Sequence, residues 1–259
     1  MVGFVPTMGS LHDGHLSLIK KSKQQCDLTV VSIFVNPAQF SPNEDFNSYP
    51  RSLEKDMRLL KNLNIDVLFL PNENLLYPKN YSTYVEEKML SRGLEGESRP
   101  TFFKGVATVV IKLFNIIKPH FAYFGEKDMQ QLRVIKKIVS DLNIDIQIIK
   151  GKTIREKNGL AMSSRNQYLE KKDINGLGII YDSLNYAKKL ILNGEQNGAF
   201  IKSEIKENLN SFKGLEVDYI EINCSETLEK IEIIDKSVVV SLAVFINGVR
   251  LIDNLEVKI

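Results

Sequence analysis

The sequence predicts an α/β protein, a parallel sheet flanked by helices, followed by a smaller domain of α+β character. Three observations predict it. Short β-branched or aromatic runs, with Leu28-Thr-Val-Val-Ser-Ile-Phe-Val35 the clearest, alternate with helical patterns through the first part of the chain, and such alternation implies parallel strands joined by right-handed crossovers. Those runs are continuously apolar, as in strands covered on both faces. After Lys150 the pattern changes to two helix-like stretches and then three strand-like ones. The boundary is therefore placed near residue 153, dividing the chain into 1–153 and 154–259.

Taken in order, the chain opens on a short apolar strand that Pro6 is expected to stop. A glycine-bearing loop follows, then a helix whose N-terminus lies at His12–His15. Leu16, Ile19 and Cys26 fall at roughly helical spacing, with Lys20, Lys21 and Lys23 toward water. Leu28–Val35 is the second strand, closed by Asn36-Pro37. A polar loop runs from Gln39 to Pro50, and Ser52 caps a helix that buries Leu53, Met57, Leu60 and Leu63. Asp66–Pro71 reads as the third strand. Residues 72–104 are less regular, with a short strand expected near Ser82–Glu86. The segment Val106–Ile117 is an apolar helix whose stripe Val109, Leu113 and Ile116 is core. Phe121–Phe124 is a buried strand running into Gly125-Glu-Lys-Asp128 and a helix over Met129–Asp141, and Asp145–Ile149 is a further strand. Beyond the boundary, helices near 173–193 and 198–212 precede strands Val217–Asn223, Val238–Ile246 and Val249–Leu255, with Asn247-Gly248 as a hairpin turn.

Composition narrows the function classes. A formal net charge of +2 with 25% charged residues argues against a nucleic-acid carrier. The two cysteines, Cys26 and Cys224, lie too far apart for a disulfide framework and read as packing residues in a reducing, cytoplasmic setting. No apolar run is long enough to span a bilayer, and no signal peptide is evident.

The chemistry concentrates at the ends of predicted strands, where open parallel sheets bind ligands. Pro6–His15 follows the first strand, Asn36-Pro-Ala-Gln39 the second, and Gly125–Gln131 the strand at Phe124, while Met162-Ser-Ser-Arg165 opens the second domain. The pair His12 and His15 is open to three readings by spacing: a metal site, a polar surface pair, or a phosphate-binding device. Metal is disfavoured because a strong site needs a third and fourth ligand, and His120, Cys26 and Cys224 form no ligand-spaced cluster. The strand–loop–helix context favours phosphate, since a helix N-terminus presents unpaired N–H groups and partial positive charge. Gly9 and Gly14 allow backbone to approach a ligand closely.

These motifs closely resemble those of the pantothenate synthetase (pantoate–β-alanine ligase) family. The matching text is P-T-M-G-S-L-H-D-G-H at 6–15, V-V-S-I-F-V-N-P-A-Q-F at 30–40, Y-P-R at 49–51, F-G-E-K-D-M-Q-Q-L at 124–132, G-L-A-M-S-S-R-N-Q-Y-L at 159–169 and R-L-I-D-N at 250–254. The resemblance covers essentially the whole chain with the motifs in order. It implies an α/β fold with a Rossmann-like parallel sheet flanked by helices and a smaller α+β C-terminal domain acting as a partial lid. It further implies ATP-dependent condensation of (R)-pantoate with β-alanine through a pantoyl adenylate, releasing AMP and pyrophosphate. Mg²⁺ would accompany the nucleotide, and the enzyme would be a cytoplasmic homodimer.

Residue by residue, the resemblance implies a catalytic set of His12, His15, Lys127 and Arg165, with His15 as proton donor. ATP would be contacted by Met8, Gly9, Ser10 and Leu11, by Asp13 and Gly14 at the helix start, and by Gly125, Glu126 and Asp128. Ile154 would pack on adenine or donate backbone contacts, and Met162, Ser163 and Ser164 would add contacts from the second domain. Gln39 and Gln131 would hold pantoate, with Asn36 supporting them and Gln39 also meeting β-alanine; both glutamines can donate and accept, as a carboxylate with two hydroxyls requires. No protein residue is implied as a metal ligand. Adenylation places negative charge on phosphate oxygens, so it needs positioned donors more than a strong base.

Two departures from the family pattern stand out. Family members usually carry a further segment ahead of the Val-Pro-Thr-Met-Gly strand, forming a helix on the sheet, and its loss would expose apolar surface. Thr101-Phe-Phe-Lys104 replaces a His-Phe-Arg-like run, which puts the contacts there in doubt. The same motifs admit two other readings. A nucleotidylyltransferase with a phosphate acceptor is disfavoured by the Gln39/Gln131 pair, and an inactive nucleotide-binding relative by intact His12, His15, Lys127 and Arg165.

Overall fold

The computed structural model describes residues 1–42 and 44–259; Asn43, in the polar loop from Gln39 to Pro50, lies outside the described residues. The chain forms two compact units, Met1–Ile154 and Arg155–Ile259.

In the first unit, strands β1 (Val2–Thr7), β2 (Leu28–Ile33), β3 (Val67–Phe69), β4 (Phe121–Gly125) and β5 (Gln147–Gly151) form one parallel sheet in the order β3-β2-β1-β4-β5. The order reverses between β1 and β4, and such a switch point opens a crevice beyond the strand ends. Helices α1 (Asp13–Gln25), α2 (Leu53–Asn62), α3 (Glu73–Leu76), α4 (Glu95–Ser98), α5 (Phe102–Ile117) and α6 (Met129–Asp141) complete this unit. Strand alternation distributes the core over both faces. Phe4, Val30, Ala122 and Phe124 pack with Val106, Val110 and Leu113 of α5 and with Leu132 and Ile135 of α6. The next residues along, Val5, Val31 and Tyr123, face Leu18 and Ile19 of α1 and Leu60 of α2. The sheet is thus flanked by helices on both sides, as the uninterrupted apolar runs predict.

Several expectations are corrected. Pro6 does not stop β1, which continues to Thr7 beside β2. The ladder to β4 pairs only Gly3 and Phe4, so it has ended before the residue that lacks an N–H. The α2 stripe is rotated: Leu53 and Met57 are about half exposed, while Asp56 and Leu60 are buried. Ser52 stands at the N-cap of α2 without a side-chain capping bond. Residues 82–86 form no strand; Val85 instead donates its N–H to Thr108 Oγ1 of α5 at 2.9 Å. The helix expected from Val106 begins at Phe102, and Ile116 near its end is exposed.

In the second unit, α7 (Lys171–Gly176), α8 (Ile179–Leu192) and α9 (Gly198–Asn210) precede an antiparallel sheet of β6 (Leu215–Cys224), β7 (Val238–Ile246) and β8 (Val249–Val257). The helix expected near 173–193 is therefore two, α7 and α8. Leu184, Ala187 and Ile191 of α8 and Ile201, Ile205 and Leu209 of α9 pack on Val238, Val240, Leu242 and Val244 of β7. The β7–β8 turn has φ of 49° at Asn247 and 76° at Gly248, the paired left-handed conformation of a two-residue hairpin. Cys224 is buried and Cys26 half-buried, both as free thiols. Among the described residues no helix is long and apolar enough to cross a membrane.

Candidate active site

Three loops leave the carboxyl ends of β1, β2 and β4 around the switch point. The first turns through Gly9 and Ser10, with φ of 81° and 52°. Thr7 Oγ1 donates to Ser32 O at 2.8 Å and accepts the Gly9 N–H at 3.2 Å. The backbone N–H groups of Ser10 and Leu11 both donate to the Asp56 carboxylate at 2.7 Å, and Asp56 is 1% exposed. Leu11 is a core side chain. These two N–H groups are therefore engaged within the protein, and Asp56 is a residue that sequence reasoning missed. The signal was present: Asp56, Leu60 and Leu63 have the same helical spacing as Leu53, Met57 and Leu60, so either stripe was compatible with the pattern.

The loop delivers His12 as the N-cap of α1 and His15 as its third residue, in a reciprocal capping box. His12 Nδ1 accepts the Gly14 N–H at 3.1 Å, and His15 Nδ1 accepts the His12 N–H at 3.4 Å. The ring centroids are 4.1 Å apart. Burial pushes His12 down to about 4, with the Lys127 ammonium adding to the shift and Asp128 and Asp13 opposing it. Burial pushes His15 down to about 3, helped by His12 and then Lys127. Both imidazoles are neutral at pH 7. With each Nδ1 lone pair accepting, the neutral ring carries its proton on Nε2, so each histidine is a donor at Nε2. Gly14 and half-buried Met8 complete this loop, and Asp13 is exposed.

After β4, Gly125 leads into a single 3₁₀ turn, Glu126–Asp128. Lys127 Nζ lies 3.4 Å from Asp128 Oδ1, and its charge acts on both histidines. Glu126 accepts the Thr153 N–H at 3.3 Å, close to half-buried Ile154 at the end of this unit. Gln130 and Gln131 then differ in employment. Gln130 Nε2 donates to Leu90 O and Gly93 O, and its Oε1 accepts the Glu95 N–H. Gln131 is half-buried, and no described residue hydrogen-bonds to its amide.

The loop after β2 carries Asn36 and Gln39 around a 3₁₀ turn, Pro37–Gln39. Asn36 Nδ2 donates to Gln39 Oε1 at 3.0 Å and to Gly105 O at 3.1 Å. Gln39 Nε2 points to Met8 Sδ at 3.1 Å. Gly105 sits inside α5, where glycine ordinarily destabilises a helix; a Cβ there would fall 2.1 Å from Ala38 O. Only a bare backbone lets the loop lie against α5. Arg99 also supports it, donating to Gln39 O at 3.1 Å, pairing with Glu44 and stacking on Phe102 at 3.8 Å. Lys104, at the departure from the family pattern, lies over the Tyr84 ring at 4.7 Å.

In the second unit, Ser163 caps a 3₁₀ helix over Ser164–Tyr168, accepting the Arg165 N–H at 3.3 Å. Ser164 is buried, while Met162 and Arg165 are half-buried. The preceding hairpin is closed by an Arg155–Ala161 bridge. Arg155 stacks on Tyr181 at 3.6 Å, donates to Gly159 O at 3.0 Å and makes a two-pronged pair with Asp253, whose side chain is 1% exposed. The Arg-Leu-Ile-Asp-Asn motif thus acts through Asp253 to hold the hairpin that leads into Met162–Arg165.

Residues 1–256 match the Pantoate-beta-alanine ligase family. The chain is 53% identical to a pantothenate synthetase of Pseudothermotoga lettingae over 253 residues, 98% of this chain and 90% of that one. The structure is similar to the crystal structure of pantothenate synthetase from Thermus thermophilus, with a TM-score of 0.95 and 40% identity over 100% of this chain and 94% of that one. It is also similar to pantoate–β-alanine ligase from Francisella tularensis complexed with β,γ ATP and β-alanine, with a TM-score of 0.79 and 41% identity over 98% of this chain and 88% of that one.

Proposed function

The chain belongs to the pantoate–β-alanine ligase family, and from that premise we propose how its residues carry out the ATP-dependent joining of pantoate to β-alanine. The family reaction has two halves. A pantoate carboxylate oxygen attacks the α-phosphorus of ATP, pyrophosphate leaves, and the amine of β-alanine then attacks the acyl carbon and displaces AMP.

The observation that carries the assignment is the paired histidine cap beside Lys127 at the switch point. In the first half-reaction charge moves onto the pyrophosphate oxygens, and donors fixed in advance stabilise that charge without reorganisation. His12 and His15 each offer an Nε2–H, held in that tautomer by the N–H groups their Nδ1 atoms accept. Lys127 supplies a compact positive charge. Through its Nε2–H, His15 donates a hydrogen bond to the departing phosphate oxygens while its Nδ1 keeps the His12 N–H. Arg165, Ser163 and Ser164, which match the family's Met-Ser-Ser-Arg motif, offer hydrogen-bond donors suited to phosphate oxygens. Gln39 and Gln131 orient pantoate, and Asn36, both of whose amide protons are taken by protein acceptors, supports Gln39 instead of touching substrate. Mg²⁺ would enter with the nucleotide on phosphate oxygens. A cytoplasmic homodimer completes the proposal.

The test is turnover with all substrates and with each withheld. Purified protein with ATP, Mg²⁺, pantoate and β-alanine should release AMP and pyrophosphate, with pantothenate appearing only when both acids are present. AMP transfer to a phosphate acceptor that is indifferent to β-alanine would overturn the proposal.

A further inference from the structure

We propose that Tyr77 is a positioning residue for Gln39, acting through Asn36, and that this relay presents Gln39 to the substrate as a hydrogen-bond donor. The inference rests on the reading of Gln39 as a pantoate contact and adds to it a polarity and a supporting residue.

The polarity follows from groups that can play only one part. A backbone carbonyl only accepts and a backbone N–H only donates. Asn36 lies between one of each: it faces Gly105 O on one side at 3.1 Å and Ala38 N on the other at 3.3 Å. Its Nδ2 must therefore point to Gly105 and its Oδ1 to Ala38. The second Nδ2 proton goes to Gln39, so the atom of Gln39 facing Asn36 is the oxygen. The Gln39 NH₂ then faces the Met8 side. A thioether is a weak acceptor, so that NH₂ suits an incoming oxygen with a lone pair, as a carboxylate or hydroxyl of the acid provides.

Tyr77 supplies the remaining anchor. Its hydroxyl donates to Asn36 Oδ1 at 2.7 Å, the shortest of the Asn36 bonds. Asn36 is 1% exposed, so its amide cannot turn to water for a substitute partner. The Tyr77 ring is fixed in turn by Phe34 and Tyr81, with centroids 6.5 and 5.2 Å away, and by Lys112 over its face. Tyr77→Phe keeps this packing and removes only the hydroxyl. Asn36 Oδ1 then retains the longer Ala38 bond alone, and the Gln39 amide loses its fixed orientation.

Two variants test this in the pantoate-dependent release of AMP, with pantoate and ATP varied separately and thermal midpoints recorded. Tyr77→Phe should raise the KM for pantoate by about 3–10-fold, the scale of one net hydrogen bond. It should leave the KM for ATP within about twofold and kcat largely intact, as for lost ground-state binding. Gln39→Glu exchanges the NH₂ for an acceptor oxygen and should lower kcat/KM for pantoate by on the order of 10²-fold or more. A Tyr77→Phe enzyme with the parent's KM for pantoate would overturn the relay, as would equal rises in both KM values with a lowered midpoint. Gln39→Glu with undiminished pantoate use would overturn the donor polarity. A parent enzyme that releases no AMP with pantoate would instead remove the underlying reading of Gln39, and the relay with it.

Discussion

The side chain of His12 closes the N-terminus of the helix that carries His15, and His15 returns the bond. His12 Nδ1 accepts from Gly14, His15 Nδ1 accepts from the backbone of His12, and the rings lie 4.1 Å apart. Two groups that would act on phosphate are therefore also the cap of their own helix, so the chemistry and the local fold share the same atoms.

That arrangement sets a pH dependence of stability. Both imidazoles are held below their ordinary 6.5, His12 at about 4 and His15 at about 3. Between those values and 6.5 the unfolded chain binds protons that the folded chain does not, so stability rises with pH across this window. It is complete above pH 6.5 and declines as pH falls toward 4. Denaturant midpoints of the ligand-free protein should fall from pH 7 to pH 5, and a His12→Asn, His15→Asn double variant should show a shallower fall. Parallel profiles would refute the neutral pair. In turnover, His15→Ala should slow adenylate formation by on the order of 10²–10³-fold, as for loss of one transition-state donor, measured in a single turnover.

Asp56 holds the loop that presents the histidines. Asp56→Ala should leave two buried N–H groups without their acceptor, at about 1–3 kcal/mol each. Urea unfolding should show the loss, and the KM for ATP should rise. Asp56→Asn, which keeps one acceptor oxygen, should fall between parent and alanine variant in both measurements. An alanine variant with the parent's urea midpoint would contradict the clamp.

The adjacent glutamines separate stability from binding. Gln130→Ala removes the amide that ties Leu90, Gly93 and Glu95 together and should destabilise by about 1–3 kcal/mol. Gln131→Ala should leave the thermal midpoint near the parent's and weaken pantoate far more than ATP. Titration calorimetry showing unaltered pantoate affinity in Gln131→Ala would remove it from the pocket.

In the second unit, the Arg155–Asp253 pair is two-pronged, with the carboxylate buried and the guanidinium half-buried. Asp253→Ala strands a guanidinium in the protein and should cost about 3–5 kcal/mol. Arg155→Met with Asp253→Leu, which removes both charges, should recover a large part of that loss in a chemical melt. Equal destabilisation of the single and double variants would show that the charges are not what the site needs.

Most of the fold was legible because its signals are local. Apolar runs placed the strands of both sheets, β7 to the residue. Met129–Asp141 was recovered at both ends, and Asn247-Gly248 announced its own turn because both residues tolerate positive φ. Two of the failures share one cause. Leu53 and Met57 were assigned to the core because a helical stripe can be drawn through either of two overlapping sets, and only the sheet above decides which set is covered. Ser82–Glu86 has the composition of a strand, but a strand needs a neighbour, and Val85 finds a threonine side chain of α5 instead.

The sequence by itself determined most of the element types, the division into a parallel sheet and a second α+β unit, and the family, because apolar periodicity and contiguous motifs are written along the chain. Tertiary structure alone decided which polar groups remain for a ligand. Asp56 reaches Ser10 across 46 residues, Tyr77 reaches Asn36 across 41 and Asn36 reaches Gly105 across 69. Hydrogen bonds of that span depend on where the chain returns to itself, and it is they that occupy the Ser10 and Leu11 amides and orient Gln39.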